Sequence, residues 1–262
     1  MTQNQPQAAV DANPPSPIRV LTLNTHKGFT SFNRRFVLHE LREAIRSVGA
    51  DIVFLQEVLG SHDEYSRRYA NWPQKSHYEF LADSIWPEFA YGRNAVYTKG
   101  HHGNAILSKF PIVRYQNHDI SITGPEQRGI LHSVLRLPGS GIELHALCTH
   151  LSLTEAHRNV QLARVCDLID ATVPADAPLV VAGDFNDWRL RAHRVLGRRA
   201  KLREAFMEVR GESARTFPAR WPLLRLDRIY FRNATVSASA RHAHHPWSHL
   251  SDHAALSAEI TL

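Results

Sequence analysis

Four short apolar segments of the chain each end in a polar residue that can bind a metal or carry a proton. The segments are rich in Val, Leu, Ile and Ala and comprise residues 18–23, 51–55, 142–148 and 178–182. Apolar runs of this length predict buried β-strands. The polar residues that follow them are Asn24, Glu57, His150 and Asp184. Because a buried strand needs no such ending, the repeated pattern indicates more than turn chemistry.

Apolar residues at 226–231 and 254–262 predict two further strands, and here the polar residues stand at the beginning. Asp227 opens the first of these strands, and Asp252 and His253 precede the second. In an antiparallel pair, the start of one strand lies beside the end of its neighbour. Both sets of polar residues are therefore predicted to meet at one edge and form a carboxylate-rich metal site.

Helical periodicity predicts helices over residues 34–48 and 154–171, with Thr154 as the N-cap of the second. Its expected core-facing residues are Val160, Leu162, Val165, Leu168 and Ile169. Shorter helices are predicted near 190–196 and 202–209. Additional strands are predicted at 103–108, 112–118, 132–137 and 234–240. Many strands and few helices in a mixed order indicate an α/β fold of two packed sheets with helices outside.

The length of 262 residues and the lack of a compositional break favour one domain, predicted over residues 18–262. Residues 1–17 are polar and rich in Pro, Gln and Asn, which predicts a disordered tail rather than a secretory signal. No apolar stretch approaches the roughly 20 residues that span a bilayer. Two cysteines cannot build a disulfide framework, which fits a reducing cytoplasm. We also expect the protein to be a monomer.

The net charge of +6 is concentrated in one part of the chain. Residues 188–232 contain 13 Lys and Arg against 4 Asp and Glu, and they begin just after Asp184. A positive surface beside a site would attract a polyanionic substrate, either nucleic acid or an anionic membrane surface. An ordinary solvated helix face would have the same composition, and charge alone does not separate these interpretations.

The polar residues at the strand ends suit phosphoryl chemistry, which needs a Lewis acid and an oriented water. Glu57 is the strongest candidate ligand for Mg²⁺, which prefers oxygen ligands, although a surface salt bridge would also explain it. Asn24 would ligate through its amide oxygen, hold Glu57, or be a turn residue. Asp184 and Asn186, two residues apart, would point at one water or form an Asx-turn.

Histidines offer the proton carriers. His253 follows Asp252, and Asp227 would fix the tautomer of His253. His150 would contact a phosphate oxygen or serve as a structural histidine. Two histidine clusters, at residues 101–102 and 242–245, suggest zinc as another hypothesis, but they lack cysteine ligands at structural spacing.

The ordered set of motifs resembles the endonuclease/exonuclease/phosphatase family across residues 18–262. The motifs are Leu23-Asn24, Gln56-Glu57, Gly103-Asn-Ala-Ile-Leu-Ser108, Thr149-His150, Gly183-Asp184-Phe185-Asn186, Arg225-Leu-Asp227-Arg-Ile229 and Ser251-Asp252-His253. The resemblance implies a DNase I-like four-layer α/β sandwich, in which helices flank two mixed, mostly antiparallel sheets and a divalent-metal site lies at one end. Asn24-Thr-His-Lys-Gly28, Tyr91-Gly-Arg-Asn94 and His101-His-Gly103 also resemble the bacterial YbhP-type branch.

The resemblance also implies residue roles. Glu57 would bind Mg²⁺ with support from Asn24 and Asp252, and Asp184 would orient or deprotonate the attacking water beside Asn186. Asp227 and His253 would form an Asp–His pair, and His150 would contact the scissile phosphate. Either Asp184 or His253 would be the base. The residues proposed to contact substrate are Arg128 and Tyr97. Arg228 departs from the family pattern, which often has Tyr after the Asp.

A Mg²⁺-dependent phosphohydrolase that cleaves a phosphodiester is the main hypothesis, with Mn²⁺ as an alternative metal. The substrate stays open between nucleic acid, a phospholipid or sphingolipid headgroup, and small phosphoesters. A non-catalytic phosphate-binding module on the same fold is the alternative. Loss of site residues would be expected for such a module, whereas every matching position is present here.

Overall fold

The computed structural model describes residues 16–124 and 126–262, and within them every predicted strand is present. Residues 1–15 of the predicted tail lie outside the described residues. The strands are β1 (Ile18–Asn24), β2 (Ile52–His62), β3 (Glu88–Tyr97), β4 (Gly100–Ser108), β5 (Ile112–Asp119), β6 (Gly129–Arg136), β7 (Glu143–His150), β8 (Leu179–Asp184), β9 (Arg203–Glu204), β10 (Asp227–Arg232), β11 (Thr235–His242) and β12 (Ala255–Thr261).

The strands form two six-stranded sheets with mixed directions. The first has the order β11-β12-β1-β2-β4-β3 and the second the order β5-β6-β7-β8-β10-β9. In each sheet one central pair is parallel, β1 with β2 and β7 with β8, and the other neighbours are antiparallel. The carboxyl ends of the parallel strands therefore lie beside the amino ends of β12 and β10, as the sequence predicts.

The sheets pack face to face, and helices cover their outer faces. The helices are α1 (Leu38–Val48), α2 (Asp63–Arg68), α3 (His77–Ala82), α4 (Glu155–Thr172), α5 (Arg191–Arg199) and α6 (Ala205–Arg210). Val20 and Phe54 belong to a core shared by both sheets, whereas Leu21 and Val53 face α1 and α3. A third cluster joins the second sheet to α4 and α5. Both faces of the central strands are thus buried, which explains their continuous apolar runs.

The helices differ from prediction in three details. The first predicted helix begins only at Leu38, because a bridge between Phe29 and Phe36 holds the preceding segment in a loop. The Thr154 side chain makes no capping hydrogen bond, and Val160 is 46% exposed rather than facing the core. The predicted helix over 202–209 starts as strand β9, which pairs with β10 before α6 begins.

None of the helices in the described residues is both long enough and apolar enough to cross a bilayer.

His77 is buried in an aromatic cluster outside the first sheet. Its ring lies 4.5 Å from the Trp72 ring and 5.8 Å from the Phe36 ring, between centroids. Neither ring nitrogen has a hydrogen-bond partner among the described residues. Burial, together with the charge of His62, lowers the pKa of His77 to about 3.

Acid is expected to destabilise the fold through His77. The unfolded imidazole takes up a proton near pH 6.5, whereas the folded one does so only near pH 3. The contribution of neutral His77 to the free energy of unfolding is therefore fully present above about pH 6.5 and is lost as the pH falls towards 3. The loss is roughly 2 kcal/mol between about pH 6 and pH 4. His77→Phe should flatten this dependence in urea unfolding, and His249→Phe, at an exposed position, should not. An unchanged pH slope in His77→Phe would contradict the assignment.

Candidate active site

The second sheet sets three chemical groups side by side. His150 pairs with Asp184 across β7 and β8, and Asp184 pairs with Asp227 across β8 and β10. Cross-strand partners point to the same face of a sheet, so the three side chains share one direction. Gly183 is required just before Asp184 because its φ is +148° and an added Cβ would lie 1.9 Å from the Thr149 carbonyl oxygen. The glycine thus permits close approach of β8 to β7 at the site.

The first sheet contributes its groups from the same end. Asn24 is the last residue of β1, and Glu57 lies in β2 where the pairing with β4 shifts register between Leu55 and Val58. Glu57 has φ +55°, which is rare for a non-glycine residue. Such strained backbone is often found at functional sites, and His26, Lys27 and Asn186 at the same end also have positive φ.

Three side chains converge on one oxygen of Asp184. Its Oδ2 lies 3.2 Å from Asn24 Nδ2, 3.5 Å from His150 Nε2 and 3.8 Å from His253 Nε2. Its Oδ1 accepts a hydrogen bond from the Asn186 backbone N–H at 2.9 Å. The predicted Asx-turn is therefore present, and it leaves Oδ2 directed at the site. Asn24 of the first sheet thus contacts Asp184 of the second, and its amide also lies 3.5 Å from Glu57 Oε1.

Asp227 and His253 form the paired Asp–His. The distance from Asp227 Oδ2 to His253 Nδ1 is 2.8 Å, and both residues are buried. Burial opposes the imidazolium, but the carboxylates of Asp227 and Asp184 outweigh it and raise the pKa of His253 to about 10. Burial raises the pKa of Asp184 to about 6, and repulsion from Asp227 adds to the effect of burial. His253 is therefore a cation at neutral pH, and Asp184 titrates close to neutrality.

Glu57 lies among basic groups. Burial would raise its pKa, but the surrounding basic groups, which include Lys27, outweigh burial and lower it to about 2. Lys27 Nζ lies 4.0 Å from Glu57 Oε2, and His26 Nδ1 lies 3.2 Å from the Asp252 carboxylate. Glu57 is thus ionised at any physiological pH.

Glu57 and Asp252 offer the oxygen ligands that a hard divalent cation prefers. Both are carboxylates, and each retains about a fifth of its side-chain exposure, 20% and 21%. The amide oxygen of Asn24 accepts from the His26 backbone N–H at 3.0 Å, and its amide nitrogen lies 3.5 Å from Glu57 Oε1.

A second group of potential ligands lies deeper. Asp184, Asp227 and His253 have ligand atoms within 4.8 Å of one another. Protonated His253 offers no lone pair to a metal, which makes this group the less suitable one. Neither histidine cluster contributes to a group of three such atoms in the part of the chain that the structure describes.

Arg128 and Tyr97 lie near different site residues, because the charge of Arg128 acts on His150 and the charge of Glu57 acts on Tyr97. Burial and the charge of Arg128 hold the pKa of His150 well below its usual range, so His150 is neutral. Arg128 Nε is buried without a hydrogen-bond partner among the described residues. Tyr97 is 37% exposed, and burial, with Tyr65 and the Glu57 anion, raises its pKa to about 12.

Sequence reasoning missed His26, Lys27 and His102 as site residues. His26 and Lys27 occupy a short 3₁₀ turn directly after Asn24, and His102 of β4 pairs with Leu59 of β2, two residues after Glu57. Their only signal in the sequence is their position in the stretch Asn24–Gly28 and beside Gly103. Arg228, noted as a departure, is buried and donates to the Asp227 and Asp187 carbonyl oxygens.

The basic segment 188–232 flanks the site only in part. Arg189 and Arg191 lie just after the Asp184 turn, but both pair with Glu155, at 3.0 and 2.6 Å. Arg232 is at the opposite end of β10 from Asp227 and donates to backbone carbonyls there. The segment crosses the molecule twice through α5 and β10, so its charge is spread over both ends.

Comparison with known proteins identifies relatives of the chain. The sequence profile of the Endonuclease/Exonuclease/phosphatase family matches residues 21–253. The uncharacterized protein YbhP of Escherichia coli (strain K12) is 55% identical over 244 residues, which cover 93% of this chain and 96% of that protein.

Two solved structures share the fold. D. rerio TDP2 in complex with a single-strand DNA product aligns with a TM-score of 0.72 and 19% identity, over 95% of this chain and 100% of that chain. The mannosyl-6-phosphatase Bt3783 of Bacteroides thetaiotaomicron VPI-5482 aligns with a TM-score of 0.70 and 15% identity, over 94% and 100%. The predicted arrangement of two mixed sheets flanked by helices is confirmed.

Proposed function

Because the chain belongs to the endonuclease/exonuclease/phosphatase family, we propose that it is a Mg²⁺-dependent phosphohydrolase that cleaves phosphodiesters by attack of water on phosphorus. The observation that carries the proposal is the convergence of Asn24, His150 and His253 on Asp184 Oδ2. Groups from both sheets meet at one carboxylate oxygen, with the Asp227–His253 pair directly behind it.

Glu57 and Asp252 would hold the cation, and Asn24 would position Glu57. A bound Mg²⁺ would neutralise charge on the phosphate oxygens, and Mn²⁺, which accepts the same oxygen ligands, would substitute for it.

The pKa values of Asp184 and His253 support one route for the proton of the attacking water. Asp184, ionised near neutral pH, accepts a proton from the attacking water as the water oxygen bonds to phosphorus. The bond from phosphorus to the leaving oxygen breaks, and that oxygen takes up a proton from solvent. His253, held as a cation by Asp227, stabilises negative charge on the phosphoryl group. These pKa values support Asp184 rather than His253 as the base in this proposal.

The remaining residues bind the phosphate. Neutral His150 donates a hydrogen bond to a phosphoryl oxygen, and Arg128 supplies charge from behind it. Asn186 keeps its side-chain amide on the Leu151 carbonyl oxygen at 2.9 Å, which fixes the turn that orients Asp184. Tyr97 contacts the substrate on the Glu57 side.

The dependence of kcat/KM on pH is expected to reflect both groups. Activity should fall as the pH drops through about 6, because Asp184 becomes protonated, and again above about 10, because His253 loses its proton. Asp227→Asn removes the carboxylate that raises the pKa of both Asp184 and His253, so the acidic and the basic fall in activity should both move to lower pH. If both falls stay at the same pH in this variant, the assignment of base and cation is contradicted.

A substrate panel tests the proposed function. Wild-type protein with Mg²⁺ should cleave at least one of plasmid DNA, an abasic-site duplex, RNA, sphingomyelin, cardiolipin and inositol phosphates, and EDTA should stop the reaction. Phosphate-ester cleavage on none of them would favour the non-catalytic binding module. Cleavage that persists in EDTA would contradict the metal requirement.

A further inference from the structure

Half of the most exposed large apolar side chains lie around the site. Four loops, residues 25–37, 151–154, 185–190 and 217–225, adjoin Asn24, His150, Asp184 and Asp227, and we name them the rim loops. Seven of the fourteen exposed large apolar residues of the described chain are on them: Phe32, Leu153, Trp188, Leu190, Trp221, Leu223 and Leu224. Single exposed apolar residues need no explanation, but their concentration around one site does.

The most prominent rim loop is a hairpin fixed to the site. Phe217 and Leu224 form an antiparallel bridge, and the Phe217 ring lies 5.1 Å from the His253 ring. The Ala219 backbone N–H donates to the Asp252 carbonyl oxygen at 2.7 Å. At its tip, Trp221 is 67% exposed and Leu223 is 64% exposed. The hairpin thus carries apolar side chains outward from the catalytic groups.

Arginines accompany the apolar tips. The Arg220 guanidinium lies 4.8 Å from the Trp221 ring, and that of Arg34 lies 5.4 Å from the Phe32 ring. Neither arginine has a carboxylate within 4.0 Å among the described residues, and exposed Arg215, next to the hairpin, also has none. Apolar tips with unpaired arginines complement a surface that presents anionic headgroups above an apolar layer.

We propose that the rim loops dock the protein on an anionic phospholipid bilayer, and that a phospholipid headgroup phosphodiester is the substrate. The substrate part rests on the proposed function. Leucines make up four of the seven exposed side chains, and leucine has no π-face for stacking bases, so single-stranded nucleic acid fits less well. A symmetric dimer through this face would bring the unpaired arginines of two copies together.

Vesicle sedimentation tests the docking surface. Wild-type protein should bind vesicles of equal parts phosphatidylcholine and phosphatidylglycerol, weakly at high salt, and should not bind vesicles of phosphatidylcholine alone. Trp221→Ser/Leu223→Ser should weaken binding about tenfold or more. The matched control Tyr115→Ser/Ile142→Ser changes two exposed apolar residues away from the rim and should bind like wild type.

A soluble diester separates this proposal from the proposed function. Trp221→Ser/Leu223→Ser should hydrolyse bis-p-nitrophenyl phosphate like wild type but cleave phosphatidylglycerol in vesicles at least about tenfold more slowly. No vesicle binding by wild type, equal binding by both double variants, or loss of single-stranded oligonucleotide binding only in the Trp221/Leu223 variant would overturn the docking proposal. A concentration-dependent dimer that the same variant dissociates would also overturn it. Failure of wild type to hydrolyse any phosphodiester, soluble or in vesicles, would overturn the proposed function and leave vesicle binding as a separate result.

Discussion

Asp184→Asn is expected to lower kcat for phosphodiester hydrolysis by roughly a thousandfold while leaving the fold intact. The amide has the shape of the carboxylate, so the Asx-turn to the Asn186 N–H is retained. It cannot accept the proton of the attacking water, and it removes one of the two negative charges facing His253. The loss should therefore appear in kcat more than in KM.

The control for Asp184→Asn is Asp176→Asn, the same chemical change at an exposed position in the loop before β8. Steady-state kinetics and thermal unfolding of the two variants separate catalysis from folding. A rate for Asp184→Asn within about tenfold of wild type would show that another group is the base.

Glu57→Gln is expected to raise the Mg²⁺ concentration needed for half-maximal activity by roughly a hundredfold or more. The wild-type carboxylate is ionised, with a pKa of about 2, whereas the amide is neutral and a weaker ligand. The neighbouring Lys27 ammonium would then repel the cation without compensation. Mn²⁺ binding measured by electron paramagnetic resonance gives the affinity independently of turnover.

Glu64→Gln is the matched control, because Glu64 is an exposed glutamate at the start of α2 whose one ion pair among the described residues is with Lys99. Its Mg²⁺ requirement should equal that of wild type. An equal Mn²⁺ affinity in Glu57→Gln and wild type would place the metal elsewhere, with Asp184, Asp227 and His253 as the remaining group.

The sequence predicts the central strands, which are buried on both faces, and also the exposed edge strands β5 and β11. β1, β7 and β8 have apolar residues at successive positions, and that pattern is visible without neighbours. β3, an edge strand of the first sheet, was missed because its Gly-Arg-Asn sequence interrupts the apolar pattern. The start of α1 was misplaced because a tertiary bridge, rather than local propensity, holds the preceding residues.

The site shows the same division between local and long-range information. The placement of Asn24, Glu57 and Asp184 at strand ends follows from apolar runs that stop. That Asn24 reaches across to Asp184, 160 residues away, depends on how the two sheets stack, and no local pattern encodes it. Lys27 lies in the site with a positive φ, a backbone conformation that lysine does not favour.

The central claim is that one metal-dependent site spanning both sheets cleaves phosphodiesters, and release of p-nitrophenol from bis-p-nitrophenyl phosphate tests it most directly. Wild type and His249→Ala, which changes an exposed histidine, should release product with Mg²⁺ and not with EDTA. His253→Ala should release it at least about a hundredfold more slowly. Release that survives EDTA, or that proceeds at the wild-type rate in His253→Ala, would contradict the account.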